Sequence, residues 1–226
     1  MHTPSLDGIL ARITQKFPGT PDAPPAALLV KNPLPTPGAQ DSLLLSHETA
    51  VEVAKFLRDA PEFQLDYCSN VTGLDNFDPK KPQEGYLEAV YHLYSIKKKF
   101  PTPVILRLRT RNRDIPELAP DGRLLDAKNA TVPSLTPVWR SCEFQEREAY
   151  DLFGIVFLGH PDLRRLLMWD EFQDFPMRKD YVEPDDYEWE PTPHAPILEK
   201  ARKHWPARKM PSPVPAPHAH PPASNP

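Results

Sequence analysis

Proline sets the first limit on what this chain can fold into. Twelve of its 31 prolines fall within residues 182–226. Proline lacks the backbone N–H that helices and sheet ladders need, and the segment shows neither helical nor strand periodicity. Residues 182–226 are therefore expected to form an extended tail that samples polyproline II and builds no core of its own. Within it, Tyr187 and Trp189 of Asp185–Trp189 are expected to anchor on a partner, and the stretch beyond Pro211 to contribute least. His218 and His220 read as incidental to such an end rather than as a metal site. The fold has to come from residues before 182.

Composition narrows the function. With 226 residues, 39% of them hydrophobic, and a mean hydropathy of −0.54, there is apolar material for one modest core. No run approaches the roughly 18–20 apolar residues of a membrane span. Met1–Gly19 lacks the basic start and apolar centre of a signal peptide. The expectation is a protein that stays where it is made and meets a membrane only through another protein. A net charge of −4 argues against nucleic acid as a partner. Two cysteines, Cys68 and Cys142, are too few for an iron–sulfur cluster, which takes about four, and read as small buried apolar residues. No nucleotide loop, zinc-protease motif or nucleophile elbow occurs. No second ligand lies at a metal spacing from His160. No cofactor or metal of its own is expected.

Taken in order, Ser5–Phe17 reads as a helix with Leu6, Ile9, Leu10, Ile13 and Phe17 on one face, ended by Pro18-Gly19. Ala26–Lys31 and Ser42–Leu45 read as two strands, and Ser46 as the cap of a helix running to Asp59. Pro61 stops it. Three further strands are expected at Phe63–Val71, Tyr86–Ile96 and Pro103–Thr110, with a turn-rich loop over Asp75–Gly85 and a solvated tip at Lys97–Pro101. Glu117–Ala130 is polar and carries no assignable period. This order implies an α+β fold, a mostly antiparallel sheet with helices on one face. Arg107, Arg109, Arg111 and Arg113 alternate and would share one face of a regular strand. An RNA-tracking sheet would use such a face, but the acidic balance and the lack of RNP-type aromatics favour a solvated or protein-facing side. The expected organisation is an N-terminal helix and Pro-rich linker over 1–40, a compact domain over 41–160, a basic segment over 161–181 and the tail over 182–226.

Trp139–Tyr181 is the densest stretch in charged and aromatic residues. Its first half reads as a helix, with Pro137 in the first turn, Thr136 or Ser134 as cap and Gly154 at C′. Cys142, Glu146, Ala149, Tyr150 and Phe153 share one face, so Glu146 lies within the apolar stripe. Glu143, Arg147 and Asp151 form an i, i+4 ladder beside it. Asp151 falls in the last turn, where the helix dipole disfavours an anion by roughly 0.3–1 kcal/mol. A cationic partner is expected, from His160, Arg164, Arg165, Arg178 or Lys179. One reading of the stretch is a set of surface ion pairs. The other is a buried or interfacial carboxylate–arginine network in which Glu146, Arg147 and Asp151 pair with Arg164, Arg165, Arg178 or Lys179. Glu146 and Glu148 make a poor acid–base pair, because residues two apart on a helix do not face each other.

Three runs then carry a resemblance. They are Glu146-Arg147-Glu148 followed by Asp151-Leu152-Phe153-Gly154-Ile155, then Gly159-His160-Pro161-Asp162-Leu163-Arg164-Arg165, then Pro176-Met177-Arg178-Lys179-Asp180-Tyr181. They resemble the signature of the C-subunit family of NADH–quinone oxidoreductase, the respiratory complex I. Val132–Trp139 and, more loosely, Phe63–Asp75 are similar to the same family, so the likeness covers about Ser42–Tyr181. Asp174-Phe175 departs from it, since the family usually has glycine and an aromatic residue there.

The resemblance implies a non-catalytic structural subunit of the peripheral arm, docked against the D subunit on the cytoplasmic side of the cell membrane. NADH, FMN, iron–sulfur clusters and quinone would belong to partner subunits of this proton-translocating complex. Glu146, Arg147, Glu148, Asp151, His160, Arg164, Arg165, Arg178 and Lys179 would be interface or structural residues, with none catalytic. The equivalent subunit of a membrane-bound hydrogenase or photosynthetic NDH-type complex is a close variant. A free-standing enzyme using Glu146, Glu148 and His160 is the alternative from a different class. It would turn over alone, whereas an interaction subunit would co-purify with larger partners.

Overall fold

The computed structural model describes residues 3–19, 24–32, 40–114, 130–169, 172 and 174–182. The readings of the tail after Val182, of His218 and His220, and of nearly all of Glu117–Ala130 lie outside the described residues.

Helix α1 (Leu6–Lys16) starts where expected, because Ser5 Oγ accepts the Gly8 N–H at 3.2 Å. It buries Ile9 and Ile13. Strands β1 (Ala27–Val30) and β2 (Ser42–Leu45) pair antiparallel. Helix α2 (Ala50–Asp59) begins later than Ser46. The Ser46 hydroxyl is turned to the Glu48 carboxylate, and Thr49 holds the N-cap position without a side-chain bond. Buried Ala50, Val53, Ala54 and Leu57 form the inner stripe of α2.

Strand β3 runs over Tyr67–Asn76 rather than from Phe63. The reason lies in α2. The amides of Phe63 and Gln64 bond to the Ala60 carbonyl and that of Leu65 to the Leu57 carbonyl, so the end of the helix uses them before a ladder can. Phe63 and Leu65 still enter the core as part of that turn. Strands β4 (Tyr86–Tyr94) and β5 (Val104–Arg109) complete a sheet of order β1-β2-β5-β4-β3. Every pair is antiparallel except β2–β5. Leu87, Ala89, Tyr91 and Leu93 of β4 and Val104, Leu106 and Leu108 of β5 face one core, which residues of α1, α2 and a third helix described below also enter. The α+β sheet with helices on one face is thus present, and the described residues up to Tyr181 belong to one compact unit.

The arginine alternation does not stay on one face. Strand β5 ends at Arg109, where Thr110 Oγ1 takes the Leu87 N–H at 2.8 Å and lies 2.6 Å from the Asn112 carbonyl, curling the chain away. Only Arg107 and Arg109 share the outer face. Both pair with the buried Glu88 of β4, at 3.0 and 2.8 Å.

Two short strands not expected from the sequence bracket the organising helix. Thr131–Pro133 (β6) and Val156–Leu158 (β7) pair in parallel. Between them lies helix α3 (Glu143–Phe153), preceded by a 3-10 turn at Arg140–Cys142. The helix lies so close on β3 that a Cβ at Gly73 would collide with the Phe153 ring. Gly154 ends α3 at φ +74°, the left-handed geometry expected of it.

Candidate functional site

Helix α3 is the hub around which the signature residues gather. On its inner face Glu146 is fully buried. Its carboxylate accepts four hydrogen bonds: from Tyr91 Oη at 3.0 Å, Ser134 Oγ at 2.5 Å, the Leu135 amide at 2.8 Å and Thr136 Oγ1 at 3.0 Å. Ser134 and Thr136 therefore do not cap α3. They turn inward to satisfy a carboxylate in the middle of the helix, and the N-cap is Cys142, which makes no side-chain bond there. Glu146 has no ion pair among the described residues, so the expected link to an arginine is replaced by neutral donors. Burial raises its pKa, and the bonds from Ser134, Leu135, Tyr91 and Thr136 offset this without cancelling it. Burial and the same carboxylate push the Tyr91 hydroxyl well up, which keeps it a donor. Cys142 and Cys68 complete this wall as buried thiols; their mutual hydrogen bond and burial push Cys142 upward.

The raised Glu146 pKa gives a signed prediction. A carboxyl whose folded pKa exceeds the unfolded value of about 4.3 stabilises fully below that pH, and the contribution is lost as pH rises through the folded pKa. Relative to the parent, Glu146→Gln is expected to lose stability at low pH and to regain ground across this window. Urea unfolding of both proteins at several pH values measures the difference. A difference that stays constant with pH would show that Glu146 does not titrate in this way.

On the opposite side, Asp151 organises the chain after β7. It is fully buried. Oδ1 accepts Arg165 Nη1 at 2.7 Å. Oδ2 accepts three successive amides, from Leu166, Leu167 and Met168, at 2.9, 2.6 and 2.9 Å. Burial alone would raise the Asp151 pKa, but the bonds from Met168, Leu167, Leu166 and Arg165 outweigh it and hold it below the ordinary value. The Arg165 guanidinium also reaches the Asp174 carbonyl at 3.1 Å and lies by the rings of Phe172 and Phe175.

Arg147 is buried but is not part of the predicted ladder. It donates to the carbonyls of Arg164 and Arg165, at 3.2 and 3.1 Å, and keeps only a 3.9 Å contact with Asp162. Arg164 itself points outward and pairs with Asp162 at 3.0 Å. His160 has both ring nitrogens in use, Nε2 against the Glu143 carbonyl and Nδ1 accepting the Asp162 amide, each at 3.0 Å.

A third cluster joins β3 to the end of the signature. Arg113 binds Asp75 with two nitrogens, at 2.8 and 2.7 Å, and Asp180 at 3.0 and 2.6 Å. The Lys179 amide adds a bond to Asp75 at 2.8 Å, while its side chain is exposed. Arg178 donates to the carbonyls of Phe153 and Arg113, at 2.7 and 2.8 Å. Burial and the nearby Arg113 lower its pKa.

Of the expected ion pairs, the structure forms Asp151–Arg165. Arg147 and Arg178 bind backbone carbonyls instead, and Glu148 and Lys179 are exposed. Glu146 faces the core, Glu148 faces a groove beside β3, and His160 holds a turn, so the trio does not converge as an acid–base site. No group of three potential metal ligands occurs among the described residues. Tyr91, Asp75 and Arg113 were not singled out as site residues by sequence. Asp75 ends a loosely similar run and Arg113 ends the alternating arginine row, but neither position marks a pairing partner, and no local signal links Tyr91 to Glu146.

Comparison with known proteins agrees with the residue pattern. Residues 43–187 match the family described as respiratory-chain NADH dehydrogenase, 30 Kd subunit. The chain is similar to the NADH-quinone oxidoreductase C 2 subunit of Rhizobium etli, 40% identical over 62% of this chain and 64% of that one. It thus spans less than two thirds of that relative. It is also similar to the NADH-quinone oxidoreductase C/D subunit of Phocaeicola vulgatus, 38% identical over 53% of this chain and 19% of that one. A solved trypsin-resistant fragment of Nqo5 aligns at 24% identity and a TM-score of 0.42, over 70% of this chain and 98% of the fragment. With the family match covering more than half of its length, the chain belongs to the respiratory-chain NADH dehydrogenase 30 Kd subunit family.

Proposed function

We propose that the chain is a non-catalytic structural subunit of the peripheral arm of NADH–quinone oxidoreductase and docks against the D subunit. NADH, FMN, iron–sulfur clusters and quinone belong to partner subunits in this reading. The observation that carries it is the use of the signature charges. Glu146, Arg147, Asp151 and Arg178 are bound by groups of this same chain: Glu146 ties Leu135 to α3, Arg147 and Asp151 tie Arg165 and Leu167 to it, and Arg178 is itself tied to it. Such residues shape a surface rather than present a reactive atom. A relative whose name joins C and D supports the D subunit as the neighbour. No described helix is long and apolar enough to cross a membrane, so attachment on the cytoplasmic side of the cell membrane would come through the complex.

Affinity purification of the full chain from its own cells tests the reading. It should bring down the D subunit and the other arm subunits, and the chain alone should carry no stoichiometric flavin, iron or zinc. A chain that purifies alone with turnover or a bound cofactor would overturn the proposal.

A further inference from the structure

Exposed apolar side chains are not spread evenly over this chain. Of the ten large ones among the described residues, six lie on α3 or after β7. Phe144, Leu167 and Met177 are 60, 57 and 56% exposed. Single exposed apolar residues are ordinary, whereas a gathered set marks a contact surface. These three are gathered by α3. The Arg147 guanidinium lies 5.3 Å from the Phe144 ring centroid and also bonds to the carbonyls of Arg164 and Arg165, which lays that segment beside Phe144. Two residues on, the Leu167 amide is fixed on Asp151. On the other flank of the helix the Met177 amide donates to the Leu152 carbonyl at 3.1 Å. Phe144, Glu148 and Leu152 are four apart and so share the outward face between these flanks.

Glu148 stands in the middle of this face. It is exposed, and its carboxylate has no ion pair among the described residues. The nearby arginines are committed elsewhere: Arg147 to two carbonyls, Arg164 to Asp162 and Arg165 to Asp151. Lys179 borders the same groove without pairing with it. The face thus offers apolar side chains around one unanswered negative charge. Main-chain bonds fix Leu167 and Met177 in place before any partner arrives, which lowers the ordering cost of docking.

We propose that the outward face of α3, with Phe144, Glu148, Leu167 and Met177, docks a neighbouring subunit of the complex, which meets it with apolar side chains around an arginine or lysine opposite Glu148. Charge complementarity selects the partner, since an acidic group there would face Glu148 and be repelled. Phe144 and Met177 are the anchors, because aromatic and methionine side chains supply much of the area at the centre of such contacts. Once the surrounding apolar groups exclude water, the pair formed by Glu148 gains strength over an exposed one.

This inference rests on the proposed role as a subunit, and the test separates the two. Hydroxyl-radical footprinting, read at Phe144 and Met177, is applied to the full chain alone and to the purified NADH–quinone oxidoreductase. Both side chains should be modified fast in the free chain and about tenfold more slowly in the complex, as burial at the centre of an interface requires. Glu148→Lys should lower the share of the chain found in the complex by about tenfold, and Glu148→Gln by less, because a lysine adds repulsion to the loss of the pair. Urea unfolding of both free variants should match the parent, since the replaced side chain is exposed. If the chain is present in the complex and Phe144 and Met177 are modified as in the free chain, this face is not the contact and the subunit role stands. If the free chain already protects both, its own residues or a second copy cover the face and the proposal fails. If Glu148→Lys enters the complex as well as the parent, no cation opposes Glu148 and the proposed partner chemistry is wrong. If the parent chain is absent from the complex, the subunit role fails first.

Discussion

Asp151→Ala is expected to cost about 3–5 kcal/mol of folding stability, the range for breaking one partner out of a buried pair. Three observations combine here. The carboxylate is fully buried, and the Arg165 side chain is only 11% exposed, so deletion leaves a buried guanidinium without a counter-charge. Three amides lose a shared acceptor, although Leu166 and Leu167 are exposed enough for water to replace part of that loss. The variant relieves only the small helix-dipole penalty of an anion at a C-terminus, roughly 0.3–1 kcal/mol. Asp151→Asn keeps one carbonyl acceptor and should fall between parent and alanine. The sign with pH is the reverse of that for Glu146. A depressed carboxylate stabilises above the unfolded value of about 3.9, and the contribution disappears as pH falls through the lower folded pKa. Acid should therefore narrow the gap between parent and variant. Urea unfolding at pH 7 and below pH 4, with hydrogen exchange at residues 164–168, measures both effects. A loss under about 1 kcal/mol at pH 7 would mean that this pair behaves like an exposed one.

Local signals in the chain reached some of this site and missed the rest for one physical reason. Gly154 as a helix stop, the buried face of α1 and the presence of a carboxylate in the α3 stripe are properties of short windows. They are visible because a helix repeats within four residues. What Glu146 touches is not such a property, since Tyr91 is 55 positions away. Ser134 and Thr136 have the chemistry of N-caps, and sequence cannot tell a hydroxyl that turns to its own helix end from one that turns into the core. The need of Asp151 for a cation followed from its place in the last turn. The three amides that share its other oxygen did not, because backbone donors carry no sequence mark. Strands β6 and β7 have three residues each and show no alternation to read. The arginine row was legible only while β5 lasted, and Thr110 ended it.

That last failure leads to the second large effect. Arg113→Ala is expected to cost about 3–5 kcal/mol, again as a buried charge left without its partner. Its side chain is 10% exposed and that of Asp75 is 2%, so the bidentate pair is shielded from water. After truncation Asp75 keeps only the Lys179 amide among its described partners. The guanidinium also lies 4.1 Å from the Phe77 ring centroid, a contact of about 0.5–2 kcal/mol in general. Asp180 adds little to the sum, because its side chain is 48% exposed and surface pairs contribute about 0–1 kcal/mol. Arg113→Lys should not rescue the loss, since an ammonium cannot meet Asp75 and Asp180 with a planar fork. The decisive measurement is a double-mutant cycle with Asp75→Asn. Removing the stranded charge should recover part of the stability, so the double variant should be more stable than Arg113→Ala alone. If the two losses simply add, Asp75 is not the group that needs Arg113, and the destabilisation comes from lost packing against Phe77 and Gly85 instead.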